Sequence, residues 1–274
     1  MRVAAEVDPV AAGVESAVDD HVPTLFHVPA LATLTRMATV ILVRHGRTTA
    51  NATGTLAGRL PGVGLDETGM GQAERTGDRL AAVPLAALVT SPLERCRQTA
   101  KEILARQAAE PSRHTEKGIT ECDYGEWQGR PLKDLAKEPL WKVVQAQPSA
   151  AVFPGGESMQ AMQARAVAAV RRHDALVEAE HGPGAVWAAV SHGDIIKSVL
   201  ADALGMHLDL FQRINVDPAS VSIIRYTPSR PFVLATNTHA GDLSWLVPPK
   251  RAGHRRASRR VSGDAAVGGG AGPS

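Results

Sequence analysis

Cysteine is scarce in this sequence of 274 residues. Only Cys96 and Cys122 occur, and they form no CxxC pair of the kind that redox and zinc sites use. Two isolated cysteines indicate reduced thiols, which are typical of a cytoplasmic protein. We therefore expect a cytoplasmic location and no disulfide framework.

Long apolar runs are also missing, since no stretch approaches the roughly 20 residues that span a bilayer. Five acidic residues interrupt any apolar region that a secretory signal would need near the N-terminus: Glu6, Asp8, Glu15, Asp19 and Asp20. No internal repeat is present. The ten histidines show neither HExxH nor a close His/Cys cluster, so the sequence indicates no metal and no cofactor. We expect no membrane partner.

The composition is that of an ordinary globular protein, with 44% hydrophobic and 21% charged residues, enough for one sizeable core. The formal charge of +2 is unevenly distributed. Residues 1–36 carry a net −3 and residues 248–274 a net +5, which leaves the segment between them neutral. The basic balance thus belongs to the tail and does not predict a nucleic-acid partner for the core.

These shifts divide the chain into three parts. Residues 1–36 have weak periodicity and three prolines, so we expect a flexible extension, or an initiation site placed too early, because Met37 stands just before the first strand. Residues 37–247 form the predicted domain. Residues 248–274 are basic, then rich in Gly and Ala, and predict a disordered tail.

Apolar runs alternate with amphipathic segments along residues 37–247. Buried strands are predicted at 40–43, 85–89 and 185–190, with further strands at 220–226 and 232–236. Helices are predicted at 68–82, 91–103, 157–180 and 194–204. This order indicates right-handed crossovers and a three-layer α/β/α sandwich with a central, mostly parallel sheet.

Two helix starts have local signals. Thr68 is a candidate N-cap for a helix that runs to about Ala82. Ser91 is a natural N-cap for the next helix, because Pro92 suits the first helical position and Glu94 completes a capping box.

Polar side chains follow the predicted strands at strand-to-helix junctions. Arg44 and His45 follow the first strand, Arg95 lies after the second, and His192 follows the third. The carboxyl ends of parallel strands meet at one edge of a sheet, where ligands bind, and Glu121 lies in a loop that can cover that edge. We therefore expect these groups to share a pocket.

The chemistry that suits such a pocket is phosphoryl transfer. Arginine forks match phosphate oxygens, and helix N-termini add backbone N–H donors. Histidine has an ordinary pKa of about 6.5 and is largely a neutral nucleophile near pH 7. A carboxylic acid can protonate the leaving alkoxide. The scheme requires no metal.

Four motifs, in the same order, resemble the histidine phosphatase superfamily, the relatives of phosphoglycerate mutase. They are RHGxTxxN from Arg44 to Asn51, SxLxRxxxTA from Ser91 to Ala100, Glu121 before a GxWxG turn, and Ser191-His192-Gly193. The resemblance covers about residues 38–240. It implies a phosphoglycerate mutase-like fold.

The resemblance also implies roles for individual residues. His45 matches the phosphorylated nucleophile and Glu121 the proton donor, while Arg44, Arg95 and His192 match the phosphate pocket. The candidate substrate-binding residues are Asn51, Gly58, Thr48, Gly193 and Arg59, although solvation of Arg59 is equally consistent with its loop.

The implied activity is hydrolysis of a small phosphorylated metabolite through a phosphohistidine, without metal or cofactor. A phosphoglycerate mutase-type phosphomutase is the alternative. Such mutases carry a longer insertion between the acid and the second histidine, whereas only 71 positions separate Glu121 from His192 here. Sugar phosphates, phosphoglycerate derivatives, a nucleotide-loop precursor of cobalamin and phosphoproteins remain open as substrates. A homodimer is also open, since dimers are common among relatives.

Two hypotheses come from other functional classes. A catalytically inactive relative could serve as a binding module, but the intact set of five catalytic candidates argues against it. The six basic residues of 250–260 could bind nucleic acid or another anionic partner. Without interleaved aromatic residues a solvated tail is favoured.

Overall fold

A computed structural model describes residues 38–241 together with Gly268 and Gly270. The predictions for residues 1–36, and for the tail apart from those two glycines, lie outside the described residues. Within the described part, no helix combines the length and the hydropathy that a membrane crossing requires.

The central sheet has six strands in the order β3-β2-β4-β1-β5-β6. Their bounds are Thr39–Arg44 (β1), Ala87–Thr90 (β2), Ser112–Thr115 (β3), Val186–Ser191 (β4), Val221–Arg225 (β5) and Phe232–Thr238 (β6). Strands β3, β2, β4 and β1 pair in parallel, and β5 and β6 add two antiparallel pairings at one side. The predicted mixed, mostly parallel sheet is confirmed.

Helices connect the strands in the order expected of an α/β chain. In the described part they are Thr49–Thr53 (α1), Glu67–Leu80 (α2), Glu94–Leu104 (α3), Leu132–Leu135 (α4), Pro139–Ala146 (α5), Met159–His181 (α6) and Gly193–Ala203 (α7). Short 3-10 turns lie at Lys117–Ile119, Gly125–Trp127, Pro148–Ala150 and Leu208–Arg213.

The two faces of β1 contribute to separate parts of the core, because successive side chains of a strand point to opposite faces. Val40 and Leu42 belong to one apolar cluster, and Ile41 and Val43 belong to the other. The first cluster includes side chains of α6 and α7, and the second includes side chains of α2 and α3. Both faces of the sheet are therefore covered, as a three-layer sandwich requires.

Both predicted N-caps are wrong in detail. Helix α2 begins two residues earlier than predicted, because the Asp66 side chain accepts a hydrogen bond from the backbone N–H of Gly69 and takes the capping role from Thr68. Helix α3 begins at Glu94 after Leu93, which has no side-chain cap. The Ser91 hydroxyl is engaged elsewhere, as described below.

Strand β3 was not anticipated from the sequence. Its residues Ser112-Arg113-His114-Thr115 are polar and largely exposed, so no apolar run marks them. The strand lies at the edge of the sheet and pairs only with β2. Backbone pairing, which leaves no mark in the hydrophobic pattern, defines this strand.

Helices α2 and α3 pack closely at Gly77, where a methyl group would lie 2.6 Å from the carbonyl oxygen of Glu102. We expect Gly77→Ala to lower the free energy of unfolding by about 1–3 kcal/mol, because overpacking forces backbone shifts. Gly71→Ala in the same helix is the matched control, since its methyl group would meet only the end of the Arg75 side chain at 3.4 Å. It should raise stability by about 0.5–1 kcal/mol. Urea unfolding of both variants measures this, and equal effects would contradict the packing argument.

Candidate active site

The site is built where β1 and β4 end side by side. The two strands pair in parallel with Arg44 opposite Ser191, so the next residues, His45 and His192, leave the sheet at the same level. The His45 backbone N–H donates to the Ser191 carbonyl at 3.0 Å. The two imidazole rings lie with centroids 5.3 Å apart at an angle of 62°. Both rings are buried.

The hydrogen bonds of His45 define its tautomer. Its Nδ1 lies 2.7 Å from the Gly46 carbonyl oxygen, and because a carbonyl only accepts, Nδ1 carries the proton. The Nε2 lone pair accepts a hydrogen bond from Arg95 Nε at 3.2 Å. Burial, with added repulsion from Arg95 and Arg44, lowers the pKa of His45 well below its usual value. His45 is thus a neutral imidazole whose unprotonated nitrogen, Nε2, lies beside a guanidinium.

Arg95 is held rigidly at the start of α3. Its Nη2 donates to the Gly58 carbonyl at 2.8 Å. The Thr99 hydroxyl donates to the Arg95 carbonyl at 2.9 Å and accepts from the Gly46 N–H at 3.1 Å, which ties α3 to the loop after β1. Gly58 has a left-handed backbone with φ 51°, and a methyl group there would collide with Gln128, so the loop requires glycine. The arginine and the histidine therefore have a fixed relative position.

Glu121 is a buried carboxyl facing the same pocket, with its Oε2 3.9 Å from His192 Nδ1. Its Oε1 accepts from the Cys122 backbone N–H at 3.0 Å. Burial raises the pKa of Glu121 to about 7, and the negative charge of Asp194 adds to the shift, whereas the pocket arginines oppose it. The carboxyl can therefore hold or release a proton near neutral pH.

His192 packs beside His45 in the buried part of the site and does not itself line the open pocket. The Ser91 hydroxyl and His192 Nε2 are joined by a 2.7 Å hydrogen bond, which explains why Ser91 does not cap α3. Burial and the positive charge of Arg95 lower the pKa of His192 well below its usual value. Cys96 also contacts this ring, and burial raises the pKa of its thiol to about 12.

Arg44 lies under the pocket and is almost fully buried. Its Nη1 donates to the Val216 carbonyl at 2.7 Å, and its Nη2 donates to the carbonyls of Gly270 at 2.9 Å and Gly268 at 3.4 Å. Burial lowers the pKa of Arg44 to about 10, which still leaves a cation at neutral pH. A phosphate bound by Nη2 would compete with the two glycine carbonyls.

The structure brings some of the remaining candidates to the pocket and leaves others outside it. Thr48 and Asn51 line the pocket and form the capping box of α1, in which the Asn51 side chain accepts from the Thr48 N–H at 3.1 Å. Gly193 is the first residue of α7, behind His192, and does not line the pocket. The Arg59 guanidinium is directed to the Glu121 carbonyl at 2.8 Å and to Glu157 at 2.9 Å. It supports the loop of Glu121 from outside the pocket.

Several residues that contribute to the site were not predicted from the sequence, and four of them have polar contacts or glycine backbones at the pocket. Tyr124, Gly268 and Gly270 line the pocket, and Asp194 hydrogen-bonds Tyr124. The signal for Asp194 was its position immediately after the Ser-His-Gly triplet, at a helix start where an acidic residue is common. The two glycines belong to a low-complexity tail that contains no signal for a pocket.

Comparison with known families agrees with this geometry. The model of the histidine phosphatase superfamily (branch 1) matches residues 40–239, which is most of the described chain. The chain belongs to this superfamily. The matched range contains every candidate catalytic residue, and it agrees with the range of about residues 38–240 over which the motifs resemble the family.

Individual relatives include phosphatases and a probable phosphoglycerate mutase. The chain is 30% identical over 167 residues to the adenosylcobalamin/alpha-ribazole phosphatase of Salmonella typhimurium, covering 60% of this chain and 79% of the relative. It is 31% identical over 221 residues to a probable phosphoglycerate mutase of Klebsiella pneumoniae, covering 78% and 97%. The crystal structure of the alpha-ribazole phosphatase from Shigella flexneri superposes with a TM-score of 0.62 at 26% identity, covering 73% and 96%.

The tautomer of His45 is testable by NMR. We expect nitrogen-detected spectra at pH 7 to show a neutral ring protonated at Nδ1, and this ring should remain neutral as the pH is lowered through the ordinary histidine pKa of about 6.5, because its own pKa is lowered by burial and by two arginines. The spectrum of His45→Ala assigns the resonance. Formation of the imidazolium near the ordinary value of about 6.5 would contradict the geometry.

Proposed function

We propose that this chain hydrolyses small phosphomonoesters through a phosphohistidine formed on Nε2 of His45. One observation carries the proposal: a neutral His45 directs its Nε2 lone pair at Arg95, inside a pocket that also contains a carboxyl with a pKa raised to about 7. A nucleophile, a phosphate-binding cation and a proton donor are the parts that two successive phosphoryl displacements need.

In the first step, the phosphate group binds between Arg44 and Arg95, whose planar forks match its oxygens. The His45 Nε2 lone pair attacks phosphorus, and the bond from phosphorus to the ester oxygen breaks. The proton of Glu121 passes to that oxygen, so the alcohol leaves neutral. The contact from Arg95 Nε to His45 Nε2 gives way to the phosphate, because both use the same lone pair.

In the second step, Glu121 is a carboxylate and accepts a proton from a water molecule. The water oxygen attacks phosphorus, the bond between phosphorus and Nε2 breaks, and inorganic phosphate forms. Glu121 is protonated again and His45 is again neutral, so both groups return to their starting forms. All of these steps use side chains of the chain itself and require no metal.

Hydrolysis and isomerisation differ in what accepts the phosphoryl group from His45. The proposal favours water, because the segment from Glu121 to His192 is short and lacks the insertion that marks cofactor-dependent mutases. The identity to a probable phosphoglycerate mutase supports isomerisation as the second candidate. The relatives that are phosphatases support hydrolysis, and the alpha-ribazole phosphatases add α-ribazole phosphate to the substrates worth testing.

We expect the purified protein to release inorganic phosphate from members of a phosphomonoester panel, and His45→Ala to abolish this release. His207→Ala, which changes an exposed histidine, is the matched control and should retain activity. A parallel assay follows conversion of 3-phosphoglycerate to 2-phosphoglycerate. Isomerisation without net phosphate release would replace the phosphatase with the mutase, and substantial release by His45→Ala would refute the nucleophile.

The proton donor is tested by its dependence on the leaving group. Glu121→Gln should lower kcat/KM for phenyl phosphate by about 10²–10⁴-fold, the usual contribution of general acid catalysis. The loss on p-nitrophenyl phosphate should be far smaller, because that leaving group hardly needs a proton. Glu126→Gln, an exposed carboxyl in the same loop region, is the control. Equal losses on both esters would remove Glu121 from its proposed role.

A further inference from the structure

Beside the site lies a hydrogen bond that the proposed mechanism does not use. The Tyr124 hydroxyl donates to Asp194 Oδ2 at 2.7 Å, and both side chains are fully buried. Tyr124 follows Glu121 by three residues, and Asp194 follows His192 by two. The bond therefore joins the loop of the proton donor to the start of α7, directly behind the second histidine.

The Asp194 carboxylate has further partners. Lys197 Nζ, one turn along α7, lies 3.3 Å from its Oδ1, and the Gly268 N–H donates to its Oδ2 at 3.0 Å. Lys197 is fully buried as well and donates to Gln212 at 3.0 Å. Replacing a buried ion pair with apolar residues is often neutral or stabilising. Stability alone therefore does not account for a carboxylate at this position.

Tyr124 has an independent link to the site, because its ring forms part of the pocket wall together with Glu121. The ring is fixed on its other side by an edge contact with Phe153, with centroids 5.0 Å apart. With the hydroxyl held by Asp194 and the ring held by Phe153, the loop has little freedom. These two contacts restrain the segment that begins at Glu121.

The charges around the Glu121 carboxyl come from three elements. Arg44 at the end of β1 and Arg95 on α3 favour its ionised form, and Asp194 on α7 opposes them. The neutral imidazole of His45 lines the same pocket, and Nδ1 of the neutral His192 lies 3.9 Å from the carboxyl. The guanidinium groups of Arg59 and Arg165 contact the Glu121 backbone carbonyl at 2.8 and 3.1 Å and are paired with Glu157. Asp194 is therefore placed to balance the two pocket arginines.

We propose that Tyr124 and Asp194 are a positioning pair for Glu121, in which the hydrogen bond holds the proton-donor loop against α7 and fixes the position of the Asp194 charge relative to that loop. The inference rests on the proposed function, since it assigns the pair a role through Glu121. It separates two contributions: Tyr124 provides geometry, and Asp194 provides geometry and charge.

The test is the pH dependence of kcat/KM for phenyl phosphate in Asp194→Asn and Tyr124→Phe. Loss of the Asp194 charge lowers the pKa of Glu121, so the proton donor ionises earlier and the basic limb should move to lower pH by about one unit. Tyr124→Phe keeps the charge, so its basic limb should stay in place while kcat/KM falls about 3- to 10-fold. The ionisation of phenyl phosphate affects every pH profile in the same way, so a difference between the profiles of two variants comes from the enzyme.

Matched controls exist for both substitutions. Asp174→Asn changes another buried carboxyl, which lies on α6 and accepts a hydrogen bond from Trp187 Nε1 at 2.8 Å. Tyr226→Phe changes the other tyrosine of the sequence. Both controls should leave the basic limb where it is. Should Asp194→Asn fail to fold because Lys197 loses its partner, the double variant Asp194→Asn/Lys197→Met is compared with Lys197→Met instead. The same shift to lower pH is expected.

The outcomes separate the pair from the mechanism on which it rests. If both variants lose activity equally on phenyl and p-nitrophenyl phosphate, with the basic limb unmoved, the pair is only structural and the inference is overturned. In that case Glu121→Gln still shows its leaving-group dependence. If Glu121→Gln shows no leaving-group dependence, the proposed role of Glu121 is refuted, and the positioning role of the pair is refuted as well.

Discussion

The parallel pairing of β1 with β4 is the constraint on which the site depends. It sets Arg44 opposite Ser191, so both strands end at one level and deliver His45 and His192 into the same buried space. Helix α3, carried by the neighbouring strand β2, adds Arg95 from the side. Three segments that are distant in sequence thus meet because adjacent parallel strands end at one edge.

Burial at that edge determines the protonation of the groups. It lowers the pKa of His45 and of His192, and it raises the pKa of Glu121. The positive charges of Arg44 and Arg95 lower the pKa values of both histidines further. The same charges oppose the rise in the pKa of Glu121, whereas the negative charge of Asp194 adds to that rise. A neutral imidazole and a carboxyl that titrates near neutral pH are thereby kept in one pocket, and the proposed mechanism relies on this combination.

Much of this could be predicted from the sequence, because the strongest signals were local. The apolar runs of β1 and β4 and the periodicity of α6 indicated elements that the structure contains. Strand β3 could not be predicted, because its residues are polar and it forms only through backbone pairing with β2. The prediction that Ser91 caps α3 was wrong, because a serine hydroxyl can cap a helix or bind another side chain. The partner that it binds here, His192, is brought to it only by the fold. Long-range contacts such as Tyr124 with Asp194, or Gly270 with Arg44, leave no periodic pattern.

The most direct test of the account is to trap the phosphorylated enzyme and locate the phosphoryl group. A reacting sample is quenched in alkali, where phosphohistidine survives, and the modified peptide is identified by mass spectrometry. We expect one phosphoryl group on His45, attached at Nε2, because Nδ1 is occupied by its hydrogen bond to Gly46. A phosphoryl group on His192, or rapid phosphate release without any phosphoenzyme, would contradict it.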